Sequence, residues 1–332
     1  MVPPASAQQQ PNASPSSGTL PQHPQSRRIL TSQSANITIG DLSDGTALVS
    51  ELRTLTSNPN HHYIPLDVTS WSSQTTFFQT ALTLSPTKTL HHILANAGLG
   101  EQKHIITALG ALSPEFPPAP PQEPQLSTLN VNLIGAIYTA RLALHYLRLT
   151  PEAEKPSILF TGSMACFLDG SPVMAMYGAS KHGLLGFFRS LRHEDNAHNI
   201  RVNLMCPYFI DTPIIPPVGK MLLAGIEKVE VWEVVEAAER LLCEEKGGRC
   251  MIVAPKGTGG IQEMDAMSER ALEEFSNRII NLMSIEGRVK KLGRWTRDLR
   301  KLFGVWVIVG AVGGMVGGLV ATVVAVRKVT GV

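Results

Sequence analysis

Several things are scarce in this 332-residue chain, and each shortage excludes a class of function. The four cysteines, Cys166, Cys206, Cys243 and Cys250, include no CxxC pair. That spacing is neither a zinc pattern nor a disulfide framework, and it suits a reducing compartment. Charge of one sign is not in excess: the formal net charge is +2, so no basic field marks out a nucleic-acid partner. Residues 1–28 hold no apolar run, which argues against a secretory signal. Their Pro, Gln and Ser content buries too little surface to offset ordering entropy, so they read as a disordered tail. Glycine is scarce in the N-terminal part of the chain. Before Asn96 only Gly18, Gly40 and Gly45 occur, and none forms T-G-x-x-x-G-x-G or G-x-G-x-x-G, the turns that cradle a dinucleotide's phosphates.

What is present is an alternation of short apolar runs with helical patterns, the signature of βαβ units and a parallel sheet. Strands are read in "NITIGDLSDG" (Asn36–Gly45), "HYIPLDVTS" (His62–Ser70), "LHHILANAGLG" (Leu90–Gly100), "SILFTGS" (Ser157–Ser163), "IRVNLMCPYFIDT" (Ile200–Thr212) and, as the last, "GRCMIVAPKG" (Gly248–Gly257). "LNVNLIGAIYTARLALHYL" and "VWEVVEAAERLLCEE" (Val231–Glu245) have helical spacing, "SPEFPPAPPQEPQ" (Ser113–Gln125) reads as a surface loop, and "KGTGG" (Lys256–Gly260) as a plain one. Ligands of open parallel sheets bind beyond the carboxyl ends of the strands. Asp41, Asp67, Asn96, Ser163 and the loop from Pro207 to Thr212 fall there.

Near the C-terminus, Val305–Val326 is uncharged and, as a helix, about 33 Å long, enough to cross a bilayer core. Seven basic residues precede it in "RVKKLGRWTRDLRK", which puts the bulk of the protein on the cytosolic side of a single-pass C-terminal anchor in the endoplasmic reticulum or another organelle membrane. A core helix would be shorter and have a polar face. Gly310, Gly314 and Gly318 recur at every fourth residue, compatible with helix pairing and a homodimer. The segment 269–304 has helical spacing with basic residues toward its end, suited to a juxtamembrane helix. The pairs His61-His62 and His91-His92 would point to opposite strand faces, so neither chelates alone and no metal is expected.

The centre of the chemistry is "MYGASKHG". Tyr177 and Lys181 stand four residues apart, on one face of a helix. A nearby ammonium favours the phenolate, lowering a tyrosine pKa from about 10 toward working pH. Such a tyrosine takes a proton from an alcohol as hydride leaves, or returns it to a ketone. Ser163, fourteen residues upstream at a strand end, is placed to bond the same oxygen.

Asn96-Ala97-Gly98 after a strand, "NVNLIG" around Asn132, Ser163, "YGASK" and a Pro-led loop ending in Thr212 occur in one fixed order. From Ile29 to about Gly260 the chain therefore resembles the short-chain dehydrogenase/reductase family. It is nearest to NAD-dependent members related to 15-hydroxyprostaglandin dehydrogenase and to fungal secondary-metabolite dehydrogenases. The resemblance implies a Rossmann-like, doubly wound α/β domain over 29–268, ahead of the juxtamembrane segment 269–304 and the transmembrane helix 305–326. It also implies roles. Tyr177 would be the acid/base, Lys181 its tuner and ribose ligand, Ser163 the orienter of the substrate oxygen, and Asn132 the holder of a relay water. Asn96, Ala97 and Gly98 would line the adenosine side and Asp67 would meet the adenine. Asp41 would bond both ribose hydroxyls and favour NAD over NADP, and Thr212 would touch the carboxamide.

Three departures stand out. The serine-to-tyrosine spacing is one residue longer than the family's usual thirteen. Pro207-Tyr208 replaces the usual Pro-Gly. "SRRILTSQSANITIGD" (Ser26–Asp41) looks like the end of the family's first helix running into its second strand, so the first strand and the phosphate turn are missing. Two readings follow. One is a membrane-tethered oxidoreductase acting on a lipophilic secondary alcohol or ketone, whose N-terminus is written wrongly. The other is a truncated, non-catalytic, membrane-anchored protein that binds cofactor weakly or not at all.

Overall fold

The computed structural model describes residues 35–101, 123–151, 154–168, 174–192, 199–212 and 225–264. The tail 1–28, most of the loop 113–125, the segment 269–304 and the span 305–326 lie outside the described residues. Among those described, no helix is long and apolar enough to cross a membrane. The chain groups into two units, Met1–Ile214 with Val229–Ser268, and Ile215–Lys228 with Glu269–Val332. Every element below belongs to the first; of the second only residues 225–228 are described.

Chain order runs β1 (Thr38–Asp41), α1 (Thr46–Thr56), β2 (His62–Pro65), α2 (Trp71–Leu84) and β3 (His92–Ala95). A single turn, Ser127–Leu129, then leads through a π-helical stretch, Asn130–Gly135, into α3 (Ala136–Leu147). Next come β4 (Ser157–Thr161), α4 (Ala175–Leu191), β5 (Arg201–Pro207), α5 (Val231–Cys243), β6 (Cys250–Val253) and β7 (Ile261–Met264). The parallel strands expected from the sequence are all there, shorter than their apolar runs. β7 is an addition. The "KGTGG" stretch is a hairpin turn, with Gly259 at φ 120° and Gly260 at φ 67°, and it returns the chain antiparallel to β6. Only glycine takes such angles without strain.

The strands form two ladders. β1 pairs with β2 in one, and the other runs β3-β4-β5-β6-β7, parallel except at β7. Among the described residues no strand lies between β1 and β3. Burial follows from this. β5 is buried along its whole length, as a strand covered on both faces should be, whereas β3 alternates exposed and half-buried residues and Leu94 is 51% exposed. Among the described residues, the edge of β1 away from β2 and the edge of β3 away from β4 have no ladder partner. We predict that amides on the unpaired edges of Thr38–Asp41 and His92–Ala95 exchange with deuterated solvent at least ten-fold faster than those of β4 and β5. Equal protection across all four strands would show that the ladders are joined.

Side chains hold the ladders together. Gln74 of α2 donates to the Val68 carbonyl (2.6 Å) and to the Gly135 carbonyl (2.9 Å), and it accepts from Thr139 of α3 (2.9 Å). Phe78 stacks on Tyr146 at 5.5 Å, and Trp71 meets Tyr138 edge-on at 5.3 Å. The paired histidines bond within the fold. His61 is fully buried; its Nδ1 accepts the Ile37 N–H, so Nε2 carries the proton shared with Thr56. His91 meets Glu154 and His92 bonds Ser157.

Candidate functional site

The carboxyl ends of β3 and β4 carry the chemistry. β4 ends at Thr161 and continues through Gly162 to Ser163, which caps a short 3-10 turn by accepting the Ala165 N–H. Gly162 is required there, because a Cβ would stand 2.8 Å from the Cys206 sulfur and 3.1 Å from that of Cys166. α4 then presents Tyr177, half-buried, and Lys181, 5% exposed. The Lys181 ammonium lies 5.7 Å from the Tyr177 ring centroid and donates to the Thr161 carbonyl at 2.9 Å. Thr161 also donates through its hydroxyl to Asn96 Oδ1 at 2.9 Å, so one residue joins the asparagine after β3 to the lysine of α4.

Electrostatics at this cluster differ from the sequence expectation. Burial raises the Tyr177 pKa above its ordinary value; a hydrogen bond with the Ser163 hydroxyl acts against that rise, and the Cys166 and Cys206 thiols add to it. Burial likewise lowers Lys181, while the same thiols work to raise it. For both groups the largest effect is the lost hydration of the charged form. The Ser163 hydroxyl acts on Tyr177 even with one extra residue in the intervening segment.

Asn132 sits in the π-helical stretch, 2% exposed, with its amide engaged. Oδ1 accepts the Leu99 N–H at 2.7 Å, and Nδ2 donates to the Leu99 carbonyl at 2.9 Å and to Ser180 Oγ at 3.0 Å. Ser180 in turn donates to the Tyr177 carbonyl. Both N–H groups of the Asn132 amide are thus taken, and Oδ1 keeps one acceptor site. Close approach of α4 to this stretch depends on Gly183, where a Cβ would lie 2.7 Å from Leu133.

The remaining expected residues are more dispersed. Ala97 is exposed and Gly98 half-buried; a Cβ at Gly98 would make only ordinary contacts, 3.5 Å from Asn132 Oδ1. Asp41 is exposed at the end of β1, and its Oδ1 accepts the Ser43 N–H. Asp67 closes a turn by accepting from the Thr69 N–H and hydroxyl ahead of α2. Thr212 follows the bridge between Ile210 and Val229, and its N–H donates to Ile210. Tyr208 packs on the cluster of Leu159, Met205 and Val229 instead of opening a glycine turn, and burial raises its pKa. Thr161, Ser180 and Glu101 belong to the network, yet no motif singled them out. Their one signal was position, next to residues that were chosen.

A family model described as short chain dehydrogenase matches residues 26–222. The chain belongs to that family. As a short-chain dehydrogenase it is an oxidoreductase of a family that works with NAD or NADP. It is 35% identical over 220 residues to a 5'-hydroxyaverantin dehydrogenase of Emericella nidulans, covering 61% of this chain and 72% of that protein. It is 30% identical over 245 residues to NADP-dependent dehydrogenase M3 of a Phoma species, covering 66% and 71%. A putative short-chain alcohol dehydrogenase from Sinorhizobium meliloti shares this dehydrogenase's fold, with a TM-score of 0.52, 22% identity, and coverage of 68% and 89%.

Proposed function

We propose that this dehydrogenase interconverts a secondary alcohol and a ketone, with Tyr177 as acid/base and NAD preferred to NADP. The observation that carries the reading is the cluster itself: a buried ammonium 5.7 Å from the ring of a tyrosine on which the Ser163 hydroxyl acts. The nicotinamide end of a dinucleotide fits the residues present, since Ser163, Tyr177, Lys181 and the Asn96–Gly98 loop converge at adjoining strand ends. The phosphate end has no counterpart among the described residues, because these begin at Ala35, past the place of the family's glycine-rich turn. Thr212 is assigned to the carboxamide, Asp67 to the adenine and Asp41 to the ribose hydroxyls. When bound, the nicotinamide ring supplies the acceptor or donor of hydride.

The rest is the work of side chains. The Ser163 hydroxyl holds the substrate oxygen beside Tyr177. In the oxidation direction the Tyr177 phenolate takes the hydroxyl proton of the alcohol; in reduction the phenol returns one to the forming alkoxide. The Lys181 ammonium stabilises the phenolate, and its bond to Thr161 holds its direction. Burial raises the Tyr177 pKa, so it favours the phenol, the form that reduction uses.

The apolar span Val305–Val326 supports membrane anchoring, a cytosolic domain and a lipophilic substrate, and similarity to a 5'-hydroxyaverantin dehydrogenase supports a hydroxylated organic molecule. Calorimetric titration of the full chain with NAD and NADP is the test of cofactor choice. NAD is expected to bind at least ten-fold tighter, and Asp41→Ser to erase that difference; tighter NADP binding overturns the preference. A second reading, weak cofactor binding by a non-catalytic protein, is favoured by the divided sheet. Binding of neither dinucleotide below millimolar concentration would establish it.

A further inference from the structure

We infer that Glu101 is a positioning residue for Tyr177, clamping the N-terminal turn of α4 to the loop after β3. The inference rests on the reading of Tyr177 as acid/base. The first N–H groups of a helix have no partner within it, and a side chain at the N-cap usually supplies one. The N-cap of α4 is Met174, which makes no such bond. Glu101, 76 residues distant in sequence, does so instead: its Oε2 accepts the Tyr177 N–H at 2.8 Å. A carboxylate there is favoured by the helix dipole, and a charge-assisted bond is stronger than a neutral one.

The clamp has two ends. Glu101 closes the run Asn96-Ala97-Gly98-Leu99-Gly100, and that run is itself pinned. Leu99 is held through both its N–H and its C=O by Asn132, and the Gly100 carbonyl accepts from the Thr128 hydroxyl at 3.0 Å. Asn132 reaches Tyr177 a second time, through Ser180. Loop and tyrosine are therefore joined by two routes, one through side-chain amide and hydroxyl, the other through Glu101, and a shift of the loop moves the tyrosine. The other Glu101 oxygen, Oε1, is enclosed and has no partner among the described residues. The link is a single bond, and a glutamine retains its acceptor.

Amide-resolved hydrogen exchange on the full chain tests this. Tyr177 is the third residue of α4, so its amide protection comes from Glu101. Glu101→Ala is expected to speed exchange at that amide by about ten-fold or more, while leaving β5 amides unchanged. Glu101→Gln is expected to keep protection within about three-fold of the parent, as a retained acceptor should. Turnover is expected to follow the same order, kcat falling in the alanine variant with the KM for alcohol little changed, and recovering in the glutamine variant. Unchanged exchange at Tyr177 in a folded alanine variant overturns the inference, and so does a glutamine variant as unprotected as the alanine one. If the alanine variant does not fold, the glutamine variant decides alone. If the exchange results hold but Tyr177→Phe turns over normally, the acid/base reading fails and the clamp stands.

Discussion

Tyr177→Phe is expected to lower turnover by about 10²–10⁴-fold, the usual contribution of a positioned acid/base. The substitution removes one oxygen and keeps the ring, so the contact with Lys181 and the packing of α4 persist. What is lost is the proton donor. Melting temperature and dinucleotide affinity should therefore stay near the parent's. Steady-state rates of nicotinamide absorbance change, measured over a panel of secondary alcohols and ketones, are the check. A loss of less than ten-fold would mean that another group carries the proton.

Lys181→Met is expected to slow alcohol oxidation at neutral pH by about 10–100-fold and to move its pH profile upward. The sign follows from which form reacts. Oxidation needs the phenolate, so its rate climbs as pH rises through the Tyr177 pKa; burial raises that pKa, placing the limb in the alkaline range. The cation favours phenolate, so its removal raises the pKa further and the limb moves to still higher pH. Reduction needs the phenol, and its limb falls away only above the same pKa. Reduction at neutral pH should then lose less than oxidation does. pH–rate profiles of both variants in both directions would read the shift, and a limb displaced to lower pH would contradict the assignment. Methionine fills much of the lysine's volume but leaves the Thr161 carbonyl without its donor, at a cost of about 1–3 kcal/mol in stability.

Much of this was legible in the sequence, for reasons of period and position. Short apolar runs ending in Asp41, Asp67, Asn96 and Ser163 marked strand tips, because parallel strands buried on both faces have little polar sequence until they end. The i, i+4 spacing placed Tyr177 and Lys181 on one helical face. β7 was hidden because four residues after two glycines look like loop until the turn angles at Gly259 and Gly260 are known. The phenol's raised pKa was equally hidden. Charge at four-residue spacing can be read in a sequence, but the burial that raises the pKa is set by packing from several elements. Glu101 lies 76 residues from the amide it caps, a distance no local motif spans. The π-helical form of Asn130–Gly135 left no mark on the apolar spacing either.

The separation of the two ladders has one more outcome. In an unbroken sheet, the distance from Asp41 to Tyr177 would be ruled by backbone hydrogen bonds at fixed spacing. Among the described residues it is set by side-chain links such as an amide, a hydroxyl and stacked rings, which yield more readily. The reach between the two ends of an elongated ligand is thus a soft coordinate. Trimming Gln74 or Tyr146, neither of which touches the chemistry, would retune it.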